Sequence, residues 1–573
     1  MRVKNLKNVP SVKKMQTKYA QVLSFKYAFK YAFNYVLSNM LCSGCSSVFY
    51  CSTIHQKEHW KNHKESCRPY VIKKNEVYGR YLVAARDLPQ GTIVLTESPL
   101  VVGPKRTTYP VCLGCHQRVD CSYHCSKCGF PVCNESCENN PNHSENECPI
   151  FQKGHSIGSR ITDPTSCHPA YEAVTPLRCI LLRSRDPAKW ARLNTMEHHN
   201  EYRSTLTTLW NRNEVNTLKL IREWYKMKDE YDAETIHTCI GFVDVNCFEI
   251  KYQNIEICGL YPETSLMGHD CVPNTVHATT TGPSFRMIVR TSLPIRKGEI
   301  ISTSYVDALK TTTRRRKFLK NTKYFDCFCP RCKDPTEFGT FLSAMKCGQC
   351  SSGYLLPKNP VEISGSSPDL DQVLWYCTSS SCSNSVKYGK LASILNKVEK
   401  EIESADSCGV GSRISRLERM LKKFSGKVLH PNHALMLGLM KTLTRAYLNE
   451  WNGNELEIKM EMMEMLQRKK ELCLQLLHVL DLVDPGLSRP RGVTLYQLFT
   501  AELPIARIQL SQGEITGDDF IAKVDEILEY LTTTKTILDL DRLIVDYPTL
   551  ALSVDKAIDT MYEEKSRVQE LLK

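Results

Sequence analysis

The side chains best suited to chemistry in this chain are its cysteines. Of 573 residues, 27 are Cys, and many cluster in closely spaced pairs such as C-x2-C, several with His nearby. The sequence shows no charged head, apolar stretch and small-residue cleavage site of a secretory signal. Such pairing reads as zinc held by thiolates in a reducing compartment, not as disulfides. Four protein ligands leave no open coordination position, so zinc of this kind supplies folding energy rather than catalysis.

The pairs gather in three blocks, at 42–67, 112–148 and 327–382. The middle block offers Cys112, Cys115, Cys125, Cys128, Cys133, Cys137, His143 and Cys148, enough for two tetrahedral sites. Interleaved pairing makes one compact unit and matches the MYND zinc finger. It assigns Cys112, Cys115, Cys133 and Cys137 to one zinc, and Cys125, Cys128, His143 and Cys148 to the other. The first block resembles the second half of another such finger. Cys42, Cys45, His63 and Cys67 complete one site there, while Cys51 and His55 lack an upstream pair. In the third block Cys327, Cys329 and Cys332 are one ligand short, and Cys271 can supply it. Cys347, Cys350, Cys377 and Cys382 form a four-cysteine ribbon, with Gly353-Tyr-Leu-Leu-Pro and Trp375-Tyr as its short strands. Cys179, Cys239 and Cys473, in apolar stretches, read as small hydrophobes.

These ligands need elements to position them. Hydrophobic residues make up 42% and charged residues 24% of the chain, which excludes a mainly disordered, collagen-like or coiled-coil protein. Lys26, Lys30 and Asn34 interrupt the best apolar run before it could span a membrane, so a soluble protein is expected. Residues 1–41 are basic, with Phe25, Phe29 and Phe33 on one helical face. The net charge of +13 favours acidic partners without specifying nucleic acid. Gly91-Thr-Ile-Val-Leu-Thr and Phe285-Arg-Met-Ile-Val-Arg read as strands. The pattern is helical from Tyr171 to Thr238, and Gly241 is expected to return it to strands. From Lys390 onward, stripes such as Leu435, Leu439, Leu443, Tyr447 and Leu476, Leu480, Val483 predict antiparallel helical hairpins, with Asp484-Pro485-Gly486 as a turn. The run Lys310, Arg314-Arg-Arg-Lys317, Lys320, Lys323 is read as the solvated face of a helix. Direct nucleic-acid binding is not expected, because the zinc spacings lack the ββα pattern that sets a helix in a groove.

Five further segments occur in a telling order: Asn75-Glu-Val-Tyr-Gly79-Arg80-Tyr81-Leu82, Glu97-Ser-Pro, Val243-Asp-Val-Asn246, Tyr261-Pro-Glu-Thr-Ser265-Leu-Met-Gly268-His269-Asp270-Cys271-Val-Pro-Asn274, and Gly298-Glu-Ile-Ile-Ser-Thr-Ser-Tyr305. With a MYND finger inserted after the first strand segment and a Cys-rich segment behind, this order resembles the SET and MYND domain (SMYD) family of protein-lysine methyltransferases, more closely its arthropod-type branch. The specific motifs span about residues 42–385; the helical tail resembles the family's TPR-like domain by position and periodicity.

The resemblance implies methyl transfer from S-adenosylmethionine (AdoMet) to a lysine amine. A free lysine titrates near pH ~10.4 and must reach the methyl group as a neutral amine, so alignment and electrostatics carry the catalysis. It implies that Tyr305 is catalytic and borders the cofactor, with Gly79, Arg80, Asn246, Ser265, Gly268, His269 and Phe325 as further cofactor contacts. Two positions depart from the family pattern: Gly268 stands where Asn is usual, and Tyr81 where Gly is usual.

The expected fold class is a multidomain α+β protein, a SET β-fold split by a MYND finger and a helical insert, with an all-α TPR-like C-terminal domain. Its expected parts are a basic extension (1–41), a partial MYND-type finger (42–67), the first SET part (70–110), the MYND finger (111–150), the helical insert (151–240), the SET core (241–310), a post-SET zinc region (311–340), the ribbon (341–388) and the helical tail (389–573). The expected function is AdoMet-dependent protein-lysine N-methylation of histone or non-histone proteins, with a role in transcriptional regulation. The alternative is a weak or inactive SET/MYND scaffold acting as a co-repressor. Expected partners are AdoMet, structural Zn2+, a protein lysine substrate, proline-containing peptides at the MYND finger, and co-repressors. The chain is expected to be a monomer resident in nucleus and cytoplasm.

Overall fold

A computed structural model describes residues 42, 48, 50, 52–252, 255–280, 284–362, 370–407, 412–449, 460–539 and 548–572. The expected basic helix of residues 1–41, and Cys45 and Cys51, lie outside the described residues. The fold is α+β, with a zinc-finger region near its start and helices toward its end.

Helix α1 (Thr53–Cys67) opens the description, its first turn capped by the Ser52 hydroxyl. Strands β1 (Tyr70–Asn75) and β2 (Gly79–Ala84) follow as a hairpin whose turn closes on the Asn75 side chain, which accepts from the N–H groups of Val77 and Tyr78. Gly79 turns there with a φ of 63°, which favours glycine. Strands β3 (Ile93–Glu97) and β4 (Val101–Pro104) then enter different sheets. After the finger comes the insert, with helix α2 (Val174–Arg185) at its centre, ending in helix α3 (Ala233–Asn246).

Strands β5 (Phe248–Tyr252) and β6 (Ile255–Leu260) join β4 in the order β4-β6-β5. Strand β7 (Gly268–His269) is short. Strands β8 (Thr275–Thr279) and β9 (Met287–Thr291) complete the sheet β3-β9-β8, and β10 (Ser302–Thr303) lies parallel to β7, pairing Ser302 with Gly268 and Thr303 with His269. Sequence-distant segments are thus interlocked: Asn274 receives the Ser302 N–H and donates to the Ile300 carbonyl, each at 2.8 Å. One apolar core runs through these sheets, the insert and the finger, from Leu82 and Val94 to Leu177, Phe242 and Ile301.

Gly241 does not return the chain to strands. It lies within α3, where a Cβ would come within 2.6 Å of the His198 carbonyl oxygen. Close helix packing, not a strand boundary, accounts for this glycine.

Helix α4 (Thr312–Lys323) leads to a four-stranded ribbon, β11 (Met345–Lys346), β12 (Tyr354–Pro357), β13 (Leu374–Cys377) and β14 (Ser385–Lys387), paired in that order. Helices α5 (Tyr388–Ser407), α6 (Arg413–Phe424), α7 (Ala434–Asn449), α8 (Met460–Val483), α9 (Arg489–Ser511), α10 (Gly517–Leu538) and α11 (Pro548–Leu571) pack each against its sequence neighbour. Their buried stripes include Leu439, Leu443 and Tyr447 on α7, and Leu476, Leu480 and Val483 on α8. The turn after α8 meets the β-core: the Leu487 N–H donates to the Ser292 carbonyl at 3.0 Å. Among the described residues no helix is long and apolar enough to cross a membrane.

Candidate metal centres and candidate methyl-transfer site

Side chains with metal-binding chemistry converge in five places among the described residues: Cys112, Cys115, Cys133 and Cys137; Cys125, Cys128, His143 and Cys148; Cys271, Cys327, Cys329 and Cys332; Cys347, Cys350, Cys377 and Cys382; and Cys42, His63 and Cys67. Within each set the ligand atoms lie within 4.8 Å of one another, a spacing that suits tetrahedral zinc. In the finger, first and third pairs meet, as do second and fourth. His55 is exposed on α1.

The surroundings of two clusters were not apparent in the sequence. His143 turns Nε2 toward Cys128 Sγ and donates from Nδ1 to Glu147 Oε1 at 2.8 Å, an arrangement that fixes a ligand's tautomer and ring orientation. Glu147 in turn holds Arg178 of α2. Beside the Cys271 cluster, Arg315 donates from Nε to Cys271 Sγ at 3.3 Å and from Nη1 to Glu337 Oε2 at 2.6 Å, and Arg331 reaches the same oxygen at 3.0 Å. Glu337 is held near 2 by these two guanidiniums against the cost of burial.

The basic run is a solvated face only in part: Lys310, Arg314 and Lys317 are exposed, as expected, but its centre is not. Arg315 and Arg316 are fully buried, Arg316 donating to the Cys327 and Val361 carbonyls, while Arg314 pairs with Glu399 at the surface. Thiolates crowded around zinc carry excess negative charge, and Arg315 sits where it offsets that charge.

The β7/β10 pair sets Tyr305 beside this cluster. The Tyr305 hydroxyl donates to the Met267 carbonyl at 2.5 Å, and its N–H donates to His269 Nδ1 at 3.1 Å. His269 Nε2 lies 3.4 Å from Cys271 Sγ, so the imidazole ties Tyr305 to the metal cluster. Phe325 closes the other side, its ring centroid 5.8 Å from His269 and 6.4 Å from Tyr305. Burial pushes the Tyr305 hydroxyl up to about 12, so it remains a neutral donor at physiological pH. The turn before β7 hangs on Glu97, which accepts from the backbone N–H groups of Glu263 and Thr264 and from the Thr264 hydroxyl.

Gly268 lies at the centre of the site. A Cβ there would stand 3.3 Å from Cδ1 of Tyr78, whose ring is 5.4 Å from that of Tyr81. Asp270 faces the cluster rather than open solvent, and burial pushes its carboxyl up to about 6. The structure thus brings together Gly268, His269, Tyr305 and Phe325, with Gly79 in the adjoining hairpin. Three other expected contacts are directed elsewhere: Arg80 donates to the Thr195 carbonyl, Asn246 to the Glu197 carbonyl at 2.7 Å, and the Ser265 hydroxyl to the Pro262 carbonyl at 3.0 Å. A residue not expected in the site also reaches it. Lys323 Nζ lies 5.6 Å from the Tyr305 ring centroid, so the ring face accepts a cation.

Interlocked short strands, a finger between β4 and α2, and a tyrosine beside a four-cysteine cluster define an α+β protein rich in clusters with zinc-binding chemistry. The MYND finger family model matches residues 31–67. SET domain-containing protein SmydA-8, isoform A, of Drosophila melanogaster is 26% identical over 449 residues, spanning 76% of this chain and 88% of that protein. Histone-lysine N-methyltransferase Smyd1 of Mus musculus is 26% identical over 291 residues, 47% of this chain and 57% of that protein. The SET and MYND domain-containing protein DDB_G0273589 of Dictyostelium discoideum is 24% identical over 355 residues, 49% of this chain and 88% of that protein. The chain is thus similar over most of its length to a SET domain-containing protein and in part to proteins named as SET and MYND domain (SMYD) lysine methyltransferases, and it carries cysteine clusters with zinc-binding chemistry.

Proposed function

We propose that the chain is an AdoMet-dependent protein-lysine N-methyltransferase. The observation that carries this reading is the position of Tyr305, held by His269 and Met267 and walled by Phe325. A sulfonium is a cation, and an aromatic ring such as that of Tyr305 attracts one to its face. Gly268, His269 and Phe325 would hold the cofactor, which supplies the activated methyl group. Tyr305 presents a neutral hydroxyl that orients the acceptor amine, and the apolar walls exclude water and favour the amine's uncharged form.

Histone or non-histone proteins as substrates, a transcriptional role, proline-containing peptides at the MYND finger, and residence in nucleus and cytoplasm belong to the same reading. The domain boundaries given above do so as well. Tyr78 against Gly268 favours a second reading, a scaffold in which the aromatic ring has taken space from the cofactor.

Titration calorimetry of AdoMet into the zinc-loaded protein separates the two. Micromolar binding, with methyl transfer lost in Tyr305→Phe while binding persists, supports the enzyme. Absence of binding, with recovery in Tyr78→Ala, supports the scaffold.

A further inference from the structure

We propose that Lys323 is an acceptor amine built into the site, a lysine of the chain that the chain itself methylates. The inference rests on the AdoMet reading above. A lysine in the last turn of a helix ordinarily faces solvent and complements the helix dipole; Lys323 ends α4 but is turned inward. Tyr324 follows with a φ of 62°, and this left-handed turn aims Lys323 and Phe325 at the same tyrosine. Lys323 Nζ lies 5.6 Å from the Tyr305 ring centroid, and the Phe325 ring meets Tyr305 edge-on. The amine donates to the Val245 carbonyl at 2.5 Å, one residue before Asn246. Segments carrying Tyr305, Asn246 and Phe325 therefore converge on one amine.

The surroundings also suit the chemistry. Burial lowers the Lys323 pKa, opposed by the charges of Asp244 and Cys247. The neutral form is thereby easier to reach than at an exposed lysine. In the step, the Nζ lone pair forms a bond to the methyl carbon as the carbon–sulfur bond breaks. Its electron pair stays on sulfur, S-adenosylhomocysteine leaves, and the extra proton on nitrogen passes to water.

The test uses the full-length zinc-loaded protein with trideuteromethyl AdoMet and peptide mass mapping. Lys323 is expected to take up label about tenfold faster than exposed Lys57 or Lys74, given its lowered pKa and its place in a water-excluding site. The rate constant should not depend on protein concentration, and Lys323→Arg should carry no label at that peptide. A second readout needs no turnover: S-adenosylhomocysteine should slow acylation of Lys323 by acetic anhydride by about tenfold, by closing the site to water and reagent. If calorimetry detects S-adenosylhomocysteine binding while Lys323 is neither labelled nor protected, the proposal is overturned and the methyltransferase reading stands. A rate constant rising with protein concentration overturns it too. No binding at all overturns both.

Discussion

Glu147 and Arg178 are joined by two hydrogen bonds, Nε to Oε2 at 2.7 Å and Nη2 to Oε1 at 3.0 Å, with the carboxylate fully buried and the guanidinium nearly so. The same carboxylate receives His143 Nδ1. One side chain thus orients a zinc ligand and fastens the finger to α2.

Glu147→Gln should therefore weaken zinc binding by the finger about 10–100-fold, the usual effect of losing such a partner. Chelator competition measures this, and the ribbon cluster, Cys347 to Cys382, should be unaffected. Arg178→Met leaves the carboxylate buried without its counter-charge and should cost about 3–5 kcal/mol in urea unfolding. Equal zinc affinity in Glu147→Gln and the natural chain would refute the orienting role.

Neighbouring arginines on α4 should behave very differently. Arg315→Ala removes one of the two guanidiniums on buried Glu337, leaving Arg331, and also removes the Nε donor to Cys271 Sγ, and should cost about 3 kcal/mol. Arg314→Ala breaks a half-exposed pair with Glu399 and should cost about 0–1 kcal/mol. Thermal melts of the two variants, compared at one ionic strength, give the ranking.

Gly486 has a φ of 75°, and a Cβ there would fall 2.0 Å from the Ser292 carbonyl oxygen. Gly486→Ala should destabilise the contact between tail and β-core by more than about 1 kcal/mol, since both strain and collision act in one direction. Proteolysis near the α8–α9 turn should accelerate in the variant. Unchanged cleavage would show that the contact is dispensable.

Acid should weaken the junction of ribbon and tail. His430 is held down to about 4 by burial and by Lys346, and His433 to about 3 by burial and Arg314, with Glu337 opposing. Both folded values lie below the free value of 6.5, so below it the unfolded chain binds protons that the folded chain refuses. Stability should fall as pH drops from 6.5 toward these folded values. Urea midpoints across that range should shift less in the His430→Gln, His433→Gln double variant.

The zinc ligand sets were legible in the sequence because C-x2-C spacing is local and its interleaving has few compact solutions. Tyr305 was singled out by its order among other motifs, and the fold sets it between His269 and Phe325. The burial of Arg315 was not, because its partner Glu337 has no motif and sits in an irregular loop. Gly241 misled because a glycine in a helix and a glycine before a strand look alike until His198 is seen against it. Lys323 was read with its neighbours as charge on a helix, and the left-handed turn at Tyr324 that redirects it leaves no mark in hydrophobic periodicity. Arg80 and Asn246 were placed by motif position, yet their hydrogen bonds run to carbonyls of the helical insert, which pattern alone does not reveal.

The interleaving of Cys112/Cys115 with Cys133/Cys137 around Cys125/Cys128 and His143/Cys148 also governs how the finger assembles. Each metal closes a loop that contains part of the other's ligand set, so filling either site shortens the search for the second. Zinc uptake should accordingly be sigmoidal, and at limiting zinc the population should divide into empty and doubly loaded fingers, with few molecules holding a single ion.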